Sequence, residues 1–104
     1  MKFQLAVNLE RMDDSADMQQ VARHTIDMVQ RAEQGGFSTV WAAEHHALEM
    51  TIAPNPFQIL TWWAAETSHI RLGTAVATAA GTRPIFLAVV CSAALTATRQ
   101  GATE

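Results

Sequence analysis

Apolar and polar positions alternate at the start of the chain. Phe3, Leu5 and Val7 are interleaved with Lys2, Gln4 and, less cleanly, Ala6, so the first eight residues predict a short strand. The polar stretch Glu10-Arg11-Met12-Asp13-Asp14-Ser15 predicts a loop. Asp14 or Ser15 can then cap a helix, because a short side-chain oxygen satisfies the free amides of a first turn. Asp17 adds negative charge where the helix dipole favours it. Met18, Val21, Ala22, Met28, Val29 and Ala32 follow the three-then-four spacing of one buried face, with Thr25 as the polar member of the stripe. Gly35-Gly36 predicts the end of that helix through a left-handed cap.

Phe37 to Ala43 predicts a second strand. Its nearly continuous apolarity, Val40-Trp41-Ala42-Ala43, suits a strand of a parallel sheet covered by helices on both faces. Glu44 to Ala53 forms a mixed loop. Asn55-Pro56 opens a second helix, Asn as cap and Pro in the first turn, where its missing amide costs nothing. Phe57, Leu60, Trp63 and Ala64 supply that helix with a buried face. Ile70 to Ala77 predicts a third strand, and Pro84 stands where a third helix would begin. The order β-α-β-α-β-α gives an α/β fold built from right-handed crossovers.

Composition changes this picture in one respect. The 104 residues are 49% hydrophobic and only 16% charged, below the roughly 25% usual for a soluble domain. From Leu72 to Thr98 the only charged residue is Arg83, so the carboxyl-terminal part carries apolar surface that needs covering. The run Ile85–Leu95 is too short to span a membrane. Seven basic residues against ten acidic ones give a net charge of −3 and no basic footprint for nucleic acid. A single cysteine, Cys91, and a start without a signal-peptide pattern predict a cytoplasmic location.

The sharpest chemical feature is Glu44-His45-His46, directly after the second strand. Ligands of parallel α/β folds bind beyond the carboxyl ends of the strands, where loops from several units converge. A carboxylate and two histidines there can supply an acid or base near neutral pH. Adjacent residues leaving a strand point to opposite sides, so His45 and His46 are not expected to share one role. Alone, the triplet reads equally well as two structural histidines that fix the loop. A zinc site lacks support, because no third His or Cys stands at suitable spacing. Gly73-Thr74-Ala75-Val76-Ala77 ends the third strand in small residues, read either as close ligand approach or, preferentially, as tight helix–sheet packing. No G-x-G-x-x-G or Walker loop is present. Trp62-Trp63 reads as core and interface bulk with one ring buried, and His24 and His69 read as surface positions.

Three features occur in order: Gly36-Phe37-Ser38-Thr39-Val40-Trp41-Ala42-Ala43-Glu44-His45-His46, then Asn55-Pro56-Phe57, then Leu72-Gly73-Thr74-Ala75-Val76. In combination they strongly resemble the amino-terminal region of the bacterial luciferase-like, flavin-dependent monooxygenases, over residues 1–84. The resemblance implies the first three β/α units of a TIM (β/α)8 barrel. It implies reduced FMN, or a deazaflavin, bound at the strand carboxyl ends, a flavin reductase supplying it, and dioxygen used to oxidise a small organic substrate. By position, His45 resembles the family's active-site histidine and Glu44 its neighbour in the pocket. Ala75 and Val76 match a non-prolyl cis peptide packed against the flavin ring.

The chain departs from the family pattern at Arg83-Pro84, where His-Pro is usual. It departs again in the helix that follows, where Phe86, Val89 and Val90 replace charged residues, so residues 85–104 form an atypical tail. Such a barrel needs about 250 residues. The expectation is therefore a partial domain over 1–104, catalytically incompetent alone, that does not retain flavin and self-associates through an open sheet edge. The alternative is a non-enzymatic truncated module that folds only by association, and a third reading, with less support, is a small metal-binding α/β protein.

Overall fold

The computed structural model describes residues 1–46, 49–51, 55–75 and 77. The predicted third helix, the apolar run with Cys91, Arg83-Pro84 and Val76 lie outside these residues. In chain order the elements are β1 (Gln4–Val7), α1 (Met18–Gln34), β2 (Thr39–Ala42), α2 (Pro56–Ala65) and β3 (Arg71–Thr74). The three strands form one parallel sheet in the order β1-β2-β3. Leu5, Val40 and Leu72 share one rung, and Ala6, Trp41 and Gly73 the next. Each strand is shorter than its apolar pattern predicts, because only four residues per strand engage in the ladder before the loops diverge.

The caps explain where the helices begin and end. Asp17, not Asp14 or Ser15, caps α1, accepting from Gln19 N at 3.0 Å. Asp13 is the cause of the difference: its Oδ1 accepts from both N and Oγ of Ser15 at 2.7 Å, and its carbonyl accepts from Ala16 N. That local turn consumes Ser15 and delays the helix by two residues. At the other end Phe37 N donates to Ala32 O and Gly36 N to Glu33 O, the paired bonds of a Schellman cap. Of the two glycines only Gly36 takes the left-handed backbone, at φ +77°. Asn55 caps α2 as predicted, accepting from Phe57 N at 3.1 Å, with Pro56 in the first turn.

The core lies between the helices and one face of the sheet. Val7, Val40 and Ala42 from the strands meet Val29 and Ala32 of α1 and Leu60 and Trp63 of α2, with Leu9 and Ile70 closing the ends. Met28, placed on the buried face by its spacing, is exposed instead, while Ile26 packs against the core from the flank. The stripe follows Thr25, Val29 and Ala32, and Met28 sits about 65° to one side of its mean direction. Trp63 is fully buried and Trp62 is exposed, as two adjacent helical positions should be.

The described helices cover one face of β2, not both. On its other face Trp41 is held by a 2.9 Å bond from its Nε1 to Gln4 Oε1 and lies over Gly73. The small residue in β3 therefore makes room for a neighbouring indole and not for a helix. A Cβ on Gly73 would come within 2.5 Å of Trp41 Cζ3 and 2.7 Å of Cε3. We predict that Gly73→Ala displaces the indole, breaks its bond to Gln4 and costs about 1–3 kcal/mol. Urea denaturation and near-ultraviolet circular dichroism would report it. An unchanged midpoint and tryptophan spectrum would contradict the assignment. Among the described residues no helix is long and apolar enough to cross a membrane.

Candidate functional site

The carboxyl ends of the three strands meet at one edge of the sheet. β2 runs out through Ala43 into Glu44, His45 and His46, and β3 continues one residue further, with Ala75 N donating to Ala42 O at 2.9 Å. That bond brings Ala75, itself exposed, alongside the exit of β2. After β1, Asn8 Nδ2 donates to Glu10 Oε1 at 3.0 Å. The loops after β1 and β2 are tied together by an isolated antiparallel bridge between Glu10 and Thr51, and by Arg11 N donating to Met50 O at 2.6 Å.

Within this edge the two histidines have different surroundings. His46 is 60% exposed, and its Nε2 lies 2.5 Å from Oε1 of Glu44, whose side chain is almost wholly covered. His45 is half-buried, and its Nε2 is covered from solvent without a hydrogen-bond partner among the described residues. The alternation expected of residues leaving a strand thus separates the pair: one ring engages the carboxylate and the other keeps a free ring nitrogen in a covered position. An uncompensated buried nitrogen costs free energy comparable to a lost hydrogen bond. Such an atom fits a bound ligand that offers it a donor or acceptor.

Thr51 Oγ1 is a second covered polar atom without a partner among the described residues, and it stands on the same β2–α2 loop. The sequence reading missed it, along with Asn8 and Glu10. A threonine in a mixed loop carries no signal, whereas Asn8 and Glu10 could have been found by applying the strand-end rule to β1. Among the described residues no three His, Cys, Asp or Glu side chains converge as a metal site. His24, on α1, and His69, in the segment that enters β3, are both exposed.

Comparison with known proteins gives this edge a context. The sequence profile described as luciferase-like monooxygenase matches residues 1–95. The oxygenase component of the flavin-dependent trigonelline monooxygenase of Acinetobacter baylyi is 42% identical over 88 residues, 85% of this chain and 24% of that protein. Among solved structures, apo-MsnO8 superposes with a TM-score of 0.78 at 27% identity, over 86% of this chain and 27% of that one. The FMN complex of the oxygenating constituent of 3,6-diketocamphane monooxygenase from Pseudomonas putida, a type II Baeyer–Villiger enzyme, gives a TM-score of 0.83 at 18% identity, over 97% and 28%. The chain thus spans about a quarter of the length of these relatives. Its three strands and two helices correspond to the opening β/α units of a (β/α)8 barrel.

Proposed function

The chain belongs to the luciferase-like monooxygenase family, and on that premise we propose that it forms one wall of a flavin-dependent monooxygenase site at the strand carboxyl ends. The observation that carries this reading is the covered, unpartnered Nε2 of His45 at the exit of β2. In this reading His45 is the hydrogen-bonding or acid–base group that faces flavin and substrate. Glu44 shares the pocket and, through its contact with His46, stiffens the strand exit. Ala75, tied to Ala42 and bearing only a methyl group, and its neighbour Val76 would flank the flavin ring, because small side chains let a flat ring approach the backbone. When bound, the flavin supplies the redox chemistry, with dioxygen as oxidant and a small organic molecule as substrate. The isoalloxazine would be that of FMN or a deazaflavin, delivered reduced by a separate reductase.

Three β/α units leave five to be supplied, including the loops that usually bind phosphate in such barrels. Binding by the 104-residue chain should therefore be weak and reversible, and substrate oxidation absent. The test is a titration of the chain with oxidised and reduced FMN, read by the flavin absorbance. A saturable shift that His45→Ala weakens several-fold is expected. No binding at high micromolar FMN, or binding indifferent to His45→Ala, would overturn the assignment.

A further inference from the structure

Thr51 Oγ1, the second unpaired polar atom of the strand-end loops, has no task in the flavin reading. It is covered from solvent without a hydrogen-bond partner among the described residues. A threonine hydroxyl can donate one bond and accept others, and on a loop it could have turned outward to water. Covered and unpaired, it costs the ligand-free chain free energy that a bound hydrogen-bonding group would offset.

The clasp between the two loops fixes what stands beside that hydroxyl. Glu10 and Thr51 form an antiparallel bridge, and next to it Arg11 N donates to Met50 O. A bond from the residue after Glu10 to the residue before Thr51 makes the two a close, non-hydrogen-bonded pair. Side chains of such a pair leave the same face with Cβ atoms about 5 Å apart. The Glu10 carboxylate, held by Asn8 Nδ2 at 3.0 Å, therefore belongs to the face from which Thr51 projects. Arg11, one residue on, leaves the alternate face and pairs with Asp14 at 3.4 Å.

Sheet order separates this pair from the flavin side. β1 and β3 flank β2 on opposite sides. Ala75 stands on the β3 side and the Glu10–Thr51 clasp on the β1 side, with the β2 exit that carries His45 between them. We propose that Thr51 and Glu10 form a subsite for the organic substrate, in which Oγ1 and the carboxylate accept from a protonated amine at its polar end. The proposal rests on the flavin reading for the identity of the molecule as substrate, and adds which end of it is held and with what charge. A hydroxyl beside a carboxylate favours a cationic donor and rejects an anion, whose negative charge would stand against Glu10.

Titrating the isotopically labelled chain with benzylammonium, and separately with benzoate, tests this by NMR at the amides of Glu10, Arg11 and Thr51. Benzylammonium should give saturable shifts there and benzoate none. Thr51→Val and Glu10→Gln should each weaken that binding about tenfold, the effect of one hydrogen bond to a charged group. Thr51→Ser keeps the hydroxyl and should bind like the parent. Without ligand, Thr51→Val should raise the urea midpoint, since it removes an uncompensated polar atom at nearly constant volume. A lowered or unchanged midpoint would show the hydroxyl satisfied within the fold and overturn the proposal. So would absent shifts, an equal response to benzoate, binding indifferent to Thr51→Val, or Thr51→Ser binding no better than Thr51→Val. FMN binding that His45→Ala weakens, without a benzylammonium response, sinks the subsite and leaves the flavin reading standing. The reverse pattern sinks the flavin reading and leaves the amine site.

Discussion

Replacing Glu33 with alanine is expected to destabilise the chain by about 2–4 kcal/mol, a large effect for a residue in the last turn of a helix. Its carboxylate accepts three backbone N–H groups from the segment before β3: Ser68 at 3.0 Å, His69 at 2.7 Å and Ile70 at 2.9 Å. His69 Nδ1 lies 3.4 Å away, and the Glu33 side chain is only 12% exposed. Removing the carboxylate leaves three amides pointing at a vacated, largely covered site. Glu33→Gln should recover part of the loss, since an amide oxygen still accepts but carries no charge.

The pH dependence carries the same signature. Burial alone would raise the Glu33 pKa, but the donors from His69, Ile70 and Ser68, helped by the His69 ring, outweigh it and hold the group below its ordinary value of 4.5. A carboxyl whose folded-state pKa is depressed stabilises the fold above its unfolded value, and that contribution is lost as pH falls through the folded value. The parent chain should therefore lose stability more steeply below about pH 4.5 than Glu33→Gln does. Parallel urea titrations between neutral and acidic pH would check this. Equal acid sensitivity in the two proteins, or a loss under about 0.5 kcal/mol for Glu33→Ala, would sink the account.

The second large effect is expected at Trp63. Its ring is fully buried between α2, α1 and the sheet, and its Nε1 donates to Thr25 Oγ1 at 3.2 Å, while the Thr25 hydroxyl donates to Ala22 O at 2.6 Å. Trp63→Ala should cost about 3–5 kcal/mol through the cavity it opens. Thr25→Val removes the acceptor from a buried N–H and should cost about 1–3 kcal/mol. With Trp63→Phe as the second arm, a double-mutant cycle measured by urea denaturation should give a coupling of about 1 kcal/mol. Strict additivity of the two changes would show that the bond contributes nothing.

These two sites also mark where sequence legibility ends. Asn55-Pro56 and Gly35-Gly36 were readable because a cap is decided within four residues of chain. The polar Thr25 was visible as an exception to an apolar stripe, but its reason was not, since the indole it serves lies 38 residues away. Glu33 gave no signal for the same cause: a glutamate near a helix end looks solvated until the loop 35 residues later is folded onto it. The cap of α1 was misplaced because four short polar residues compete there, and Asp13 settled the matter by bonding Ser15. At the candidate site, strand alternation separated His45 from His46. The covered hydroxyl of Thr51 and the Glu10–Thr51 bridge depend on two loops meeting, which no local pattern encodes.

The bridge has a mechanical consequence. Parallel strands do not pair their trailing loops, so the segments after β1 and β2 would ordinarily open independently, each on its own clock. Here the Glu10–Thr51 pairing and the short Arg11–Met50 bond clasp them together, so the two segments should open as one unit. Hydrogen exchange at the amides of the clasp should then report one shared opening free energy for both loops.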